Sequence, residues 1–222
     1  MRATRRPRVK VCCIASLEEA WTAIDEGASA LGLVSDMPSG PGVIPEDDIA
    51  RIAAAVPPGV ATFLLTSLQD VDGIIAQQQR MRIGTLQICD RLLKGSHRDL
   101  RIALPGIRLV QVVHVIDRES VDEALAVETE VDALLLDSGR PGLAVKELGG
   151  TGRTHDWAVS LQIREAVRVP VFLAGGLSSE NVSDAIHEVG PFGLDVCSGV
   201  RTDGGLDAGK LARFCASVSA AA

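Results

Sequence analysis

Pro170-Val171-Phe172-Leu173-Ala174-Gly175-Gly176-Leu177 reads as a short apolar strand that runs directly into a paired-glycine turn. A second strand-like run, Leu194–Ser198, ends the same way at Gly199. Upstream, Leu148-Gly149-Gly150-Thr151-Gly152 adds a third glycine-rich turn. Glycine lets backbone N–H groups approach an anion closely, and a following helix N-terminus adds positive potential. Taken singly, each turn has a plain alternative as a tight connection. Three at matching late positions point to the phosphate rim that small parallel barrels build after their last strands.

Outward from these turns, the chain alternates short apolar runs with segments of helical period. The strand-like runs are Val9–Ile14, Ala30–Val34, Ala61–Leu65, Thr85–Cys89, Arg108–Val115, Ala133–Asp137, Val171–Ala174 and Leu194–Ser198. About eight such units close a barrel, although an open doubly wound sheet produces the same alternation. A dinucleotide-binding fold places G-x-G-x-x-G after its first strand. Here that strand runs into Cys13-Ile14-Ala15-Ser16, without glycine. The expected architecture is a (β/α)₈ TIM barrel over residues 1–222 as one domain, with flexible ends at 1–7 and 218–222.

Helix signals agree. Leu17, Ala20, Trp21 and Ile24 give one apolar face, expected to pack on the barrel, and Val182, Ala185, Ile186 and Val189 give another. Ser16 with Glu19 reads as a capping box, Ser179 before Glu180 as a helix start, and Pro45-Glu46-Asp47 as the start of a helix ending near Val56. The segment Leu92–Leu104 is the shortest and most polar unit.

Composition narrows the partners. With 46% hydrophobic and 23% charged residues the chain has the balance of a globular domain, and a net charge of −7 argues against a nucleic-acid partner. No apolar stretch approaches the ~20 residues of a membrane span, and the basic N-terminus lacks the apolar core of a signal peptide. The expectation is a cytoplasmic protein without membrane contact. Five cysteines, at 12, 13, 89, 197 and 215, show no paired ligand spacing. Cys12 and Cys13 as strand neighbours should face opposite ways, so no metal is expected.

Cys12 and Asp137 stand near strand ends, where barrel enzymes place catalytic groups. A thiolate can take a proton from carbon and a protonated carboxyl can donate one to a leaving oxygen. Their plain alternatives are a buried small apolar residue and a helix cap or charge partner.

Lys10-Val11-Cys12-Cys13-Ile14-Ala15, followed by Leu17-Glu18-Glu19-Ala20, resembles the opening K-[VI]-C-G-[IL]-T motif of the phosphoribosylanthranilate isomerase family. Further matches are Leu134-Leu135-Leu136-Asp137-Ser138, Gly149-Gly150-Thr151-Gly152-Arg153-Thr154-His155-Asp156-Trp157, the Pro170–Leu177 strand, Glu180-Asn181-Val182 and Asp195-Val196-Cys197-Ser198-Gly199-Val200. The resemblance implies a metal- and cofactor-free Amadori rearrangement in the tryptophan pathway. N-(5-phosphoribosyl)anthranilate would become 1-(2-carboxyphenylamino)-1-deoxyribulose 5-phosphate, with Asp137 as general acid and Cys12 as general base. It also implies that Gly150, Gly175, Gly176, Ser198 and Gly199 hold the substrate phosphate, and that the enzyme is a monomer or a homodimer.

Four departures accompany the matches. Ser39-Gly40-Pro41-Gly42-Val43 lacks the Arg of the family's second loop, which faces the anthranilate carboxylate, leaving Gln87, Arg140 and Arg153 as candidate substrate contacts. The family's Q-L-H-G appears as Gln87-Ile88-Cys89-Asp90, an added acid expected to repel an anionic substrate. Cys13 replaces a glycine, which matters if that backbone needs positive φ, and Arg201 stands where an acid is common. These departures keep open a paralogue acting on another phosphorylated substrate, or a non-catalytic binding protein.

Overall fold

Each strand of the computed structural model, which describes residues 6–221, is followed by a helix that returns the chain to the same end of the sheet. The strands are β1 (Arg8–Val11), β2 (Ala30–Val34), β3 (Ala61–Thr66), β4 (Thr85–Ile88), β5 (Arg108–His114), β6 (Ala133–Asp137), β7 (Val171–Leu173) and β8 (Gly193–Val196). All pair in parallel, and β8 pairs with β1 to close the barrel, as the late glycine turns imply. The helices are α1 (Leu17–Asp25), α2 (Glu46–Ala55), α3 (Val71–Met81), α4 (His97–Ala103), α5 (Glu119–Val127), α6 (Trp157–Ala166), α7 (Val182–Val189) and α8 (Ala208–Ala220).

Caps explain where the helices begin. The Ser16 hydroxyl accepts from the Glu19 N–H at 3.1 Å, Ser96 and Asp99 form a reciprocal capping box, and Asp70, Asp156 and Asp207 cap α3, α6 and α8. Four local readings differ. The Glu19 carboxylate reaches back to the Ala15 N–H rather than closing the box on Ser16. Helix α7 starts after Asn181, past Ser179, because the Asn181 side chain ties the preceding turn to the Ser178 N–H and the Gly176 carbonyl. Trp21 is 46% exposed, since Ala20 and Ala23 carry the buried face of α1. Helix α8 continues through Ala220 with Val218 buried, beyond Ser217 where the sequence reading has the chain fray. Residues 1–5 of the expected flexible N-terminus lie outside the described residues.

Two apolar layers result. One lies between strands and helices and includes Leu31, Leu64, Leu134, Leu194 and Phe214. The other fills the barrel, where Phe63, Phe172 and Phe192 stack edge to face at 5.9 and 5.5 Å. Large and small residues interdigitate there: a β-carbon on Gly193 would lie 2.5 Å from the Phe172 ring.

One ion pair crosses this interior. Lys10 and Asp195 are register partners on β1 and β8, and the Lys10 ammonium donates to Asp195 Oδ2 at 2.8 Å while lying 5.4 Å from the Phe63 ring centroid. Lys10 is fully buried. Burial alone would discharge it, but the Asp195 carboxylate outweighs that cost and holds the ammonium above the ordinary lysine range. Removing one partner strands a buried charge. Lys10→Met is therefore expected to destabilise the fold by about 3–5 kcal/mol, and Lys10→Met with Asp195→Leu to regain most of that loss, both measured by chemical denaturation. Equal instability of the single and double variants would show that the pair is not the source.

Candidate active site

Strand β1 ends sooner than its apolar run suggests. Hydrogen bonding from the Cys12 N–H to the Val196 carbonyl, at 2.8 Å, is followed by a turn at Cys13 with φ of 62°. This is the left-handed region that favours glycine and costs other residues about 1–2 kcal/mol. The turn brings both sulfurs to one cavity instead of opposite faces, correcting the expectation for adjacent strand residues. Arg201 supports the turn. Its guanidinium donates to the Cys13 carbonyl, to the Cys12 carbonyl at 3.4 Å and to the Glu19 carboxylate at 3.1 Å. The basic residue at 201 thus belongs with Cys13: it satisfies the carbonyls that the strained turn exposes.

Asp137 ends β6 across the same cavity and is buried. Its Oδ1 accepts from the Ser138 N–H at 2.7 Å. Burial pushes its carboxyl above the ordinary carboxylate range, against the opposing pull of the Ser138 N–H, His114 and Lys10. Such a group can carry a proton for donation.

The three glycine turns meet opposite Cys12. Gly152 lies beside the Ser198 hydroxyl, and the Ser138 and Thr151 hydroxyls are 2.8 Å apart. Gly176 packs on the backbone of the β6–α6 loop: a β-carbon there would lie 2.7 Å from the Arg153 carbonyl carbon and 2.8 Å from the Thr154 nitrogen. Gly199 is tighter still, at 2.0 Å from the Leu177 carbonyl oxygen. The N–H groups of Gly150, Gly175 and Gly176 donate to no protein acceptor among the described residues. Gly150, Gly175, Gly176 and Ser198 line the cavity with Cys12 and Asp137, while Gly199 stands just behind, in the 3₁₀ turn Ser198–Val200.

The remaining wall is formed by Val34, Met37, Ser39, Gly40, Pro41, Leu65, Gln87 and Leu148. No Lys, Arg or His lines the cavity among the described residues. Of the candidate contacts, Gln87 is on the wall, whereas Arg140 and Arg153 are not. Arg153 pairs with Glu147 on the rim. The expected repulsion from Asp90 is also corrected: this buried carboxylate is outside the lining and is paired with Lys146. His114 donates from Nε2 to the Cys89 carbonyl at 3.0 Å, and burial holds the His155 imidazole down at about 4.

Sequence reasoning passed over three pairings: Arg201 with Glu19, Lys146 with Asp90 and Cys13 with Cys197. The available signal was the coincidence of departures, since an unusual cysteine and an unusual arginine fall on strand ends that adjoin in any closed barrel.

The family model described as N-(5′-phosphoribosyl)anthranilate (PRA) isomerase matches residues 9–217. An N-(5′-phosphoribosyl)anthranilate isomerase from Methanocella arvoryzae is 34% identical over 88% of this chain and 90% of its own. Among solved structures, phosphoribosyl anthranilate isomerase from Thermotoga maritima superposes with a TM-score of 0.79 at 29% identity, covering 96% of this chain and 99% of that one. Another, a phosphoribosyl anthranilate isomerase in complex with reduced 1-(o-carboxyphenylamino)-1-deoxyribulose 5-phosphate, gives 0.76 at 27% identity, with 96% and 99% coverage.

An anion on the unpaired N–H groups should stabilise the folded state by mass action. Inorganic phosphate is expected to raise the melting temperature of the wild type and to leave Gly176→Ala, already weakened by about 1–2 kcal/mol, unchanged. A wild type indifferent to phosphate would remove the glycine turns as an anion site.

Proposed function

The chain belongs to the N-(5′-phosphoribosyl)anthranilate isomerase family, and on that premise we propose that Cys12 and Asp137 are its catalytic base and acid. The observation that carries the assignment is their position on one cavity, with Asp137 buried and the glycine turns alongside. The substrate is a small phosphorylated sugar-amine, its phosphate held by the N–H groups at Gly150, Gly175, Gly176, Ser198 and Gly199.

Asp137 donates its proton to the furanose ring oxygen as the bond from that oxygen to C1′ breaks, and the amine lone pair forms the protonated Schiff base. Cys12, as thiolate, then removes the proton on C2′. Those C–H electrons form the enolamine double bond and neutralise the iminium nitrogen. Tautomerisation of the enolamine gives the ketone. Lys10 couples its positive charge to Cys12 from beneath, through the gap that Gly32 leaves open between them. Protonated Asp137 needs burial, and the cavity provides it.

Recognition of the substrate carboxylate falls to Gln87 on the wall and to Arg140 and Arg153 on the rim. Arg140 makes no side-chain ion pair among the described residues, whereas Arg153 is engaged by Glu147. Arg140→Ala is therefore expected to raise KM about tenfold, a loss of ~1.4 kcal/mol, and Arg153→Ala to raise it less. The reverse order in steady-state kinetics would reassign the contact.

The reaction itself is followed by the fluorescence decay of freshly prepared phosphoribosylanthranilate. Cys12→Ser and Asp137→Asn are each expected to lower kcat by about 10²–10⁴. Turnover by the wild type that survives both changes would refute the assignment.

Stability supplies a separate check on Asp137. Its folded-state affinity for protons exceeds the unfolded one, so the stability it contributes is present at low pH and is lost as pH rises through the raised value. Asp137→Asn should accordingly melt higher than wild type at alkaline pH, with the gap closing as the pH falls into the ordinary carboxylate range. A variant that melts lower at alkaline pH would mean the carboxylate is structural.

A further inference from the structure

Two cysteines outside the proton-transfer scheme meet at the cavity mouth. Cys13 follows Cys12 at the end of β1, and Cys197 follows β8. Val11 and Val196 are register partners on these adjoining strands, and the Cys12 N–H to Val196 carbonyl bond keeps the two ends together. Neighbouring parallel strands run about 4.8 Å apart, inside the Cα separations of about 4.4–6.8 Å that disulfides span. The left-handed turn at Cys13 aims its side chain across this gap, and the two sulfurs lie 2.9 Å apart as free thiols. Both line the cavity.

We propose that Cys13 and Cys197 form a reversible redox pair, a modification site that a peroxide closes into a disulfide beside the catalytic base.

The two thiols differ in a way that assigns their roles. The hydrogen bond shared with Cys13 holds the Cys197 thiol below the ordinary range, against burial and with help from Arg201. Cys13 is held above it by its hydrogen-bonded sulfur neighbours Cys12 and Cys197 and by burial. Cys197 is thus the thiolate that meets the oxidant. Its sulfur attacks one peroxide oxygen, the O–O bond breaks, and the departing hydroxide takes up a proton as water, leaving a sulfenic acid. The negative neighbour that keeps Cys13 protonated is then gone. The Cys13 sulfur attacks the Cys197 sulfur, the S–O bond breaks, and hydroxide leaves with the Cys13 proton as a second water. Two thiols and one peroxide become one disulfide and two waters, and an external dithiol reverses the change by exchange.

The experiment treats the folded protein with one equivalent of hydrogen peroxide, alkylates the remaining thiols and maps cross-linked peptides by mass spectrometry. The wild type, with five cysteines, is expected to lose two titratable thiols and to regain both with dithiothreitol. Because Cys12 and Cys13 share a tryptic peptide, the variants identify the partner. The link should persist in Cys12→Ser and vanish in Cys13→Gly, whose glycine suits the left-handed turn and keeps the fold. A link that survives Cys13→Gly but not Cys12→Ser would overturn the proposal, as would a wild type that forms only sulfinic acid at Cys197. The readout is independent of isomerase turnover, so it stands apart from the catalytic assignment.

Discussion

The ion pair between Lys10 and Asp195 sits at the seam where the last strand meets the first. A barrel closes only if its terminal strands find a single register, and two charges sealed in an apolar interior permit one register alone. A slip of either strand by one residue would turn its charged side chain towards the helices and leave both charges unpaired. The same pair forms the base of the cavity. Asp195 lines it, and the Lys10 ammonium lies under Cys12, so the electrostatics around Cys12 begin with the contact that closes the fold.

Above that base, the mouth is assembled mostly from main chain. Gly176 and Gly199 seat their loops at distances that no β-carbon tolerates, and Gly149 brings the backbone against the Asp137 carboxylate. Charged side chains nearby serve one another instead of the cavity: Lys146 with Asp90, Arg153 with Glu147, Arg201 with Glu19. The cavity keeps two carboxyl groups and four thiols in a wall otherwise of apolar, amide and hydroxyl groups. In such surroundings a carboxyl group retains its proton.

Much of this was legible in the chain. Apolar runs located all eight strands because each is buried on both faces, and Ala30–Val34 and Ala133–Asp137 were bounded to the residue. The apolar run reads the first strand too long, since Val9–Ile14 is apolar but for Lys10 and hydrophobicity cannot register the left-handed turn at Cys13. Cys12, Asp137 and the glycine turns were identifiable because local sequence encodes them: a strand end, then a turn. The pairing of Asp90 with Lys146 was not, since 56 residues separate them and only the folded barrel brings the loops after β4 and β6 together. The exposed face of Trp21 escaped for a related reason: helical period identifies an apolar stripe but not which edge of it meets the sheet.

The unpaired N–H groups of Gly150, Gly175 and Gly176 carry a consequence for how such a protein changes over time. A grip made of backbone is indifferent to most side-chain replacement, so the β6 to β8 half of the mouth is fixed by geometry alone. The opposite half sets the side chains of Met37, Ser39 and Pro41 on a loop between β2 and α2. Mutation can redraw the side chains of that wall while the backbone N–H groups stay put.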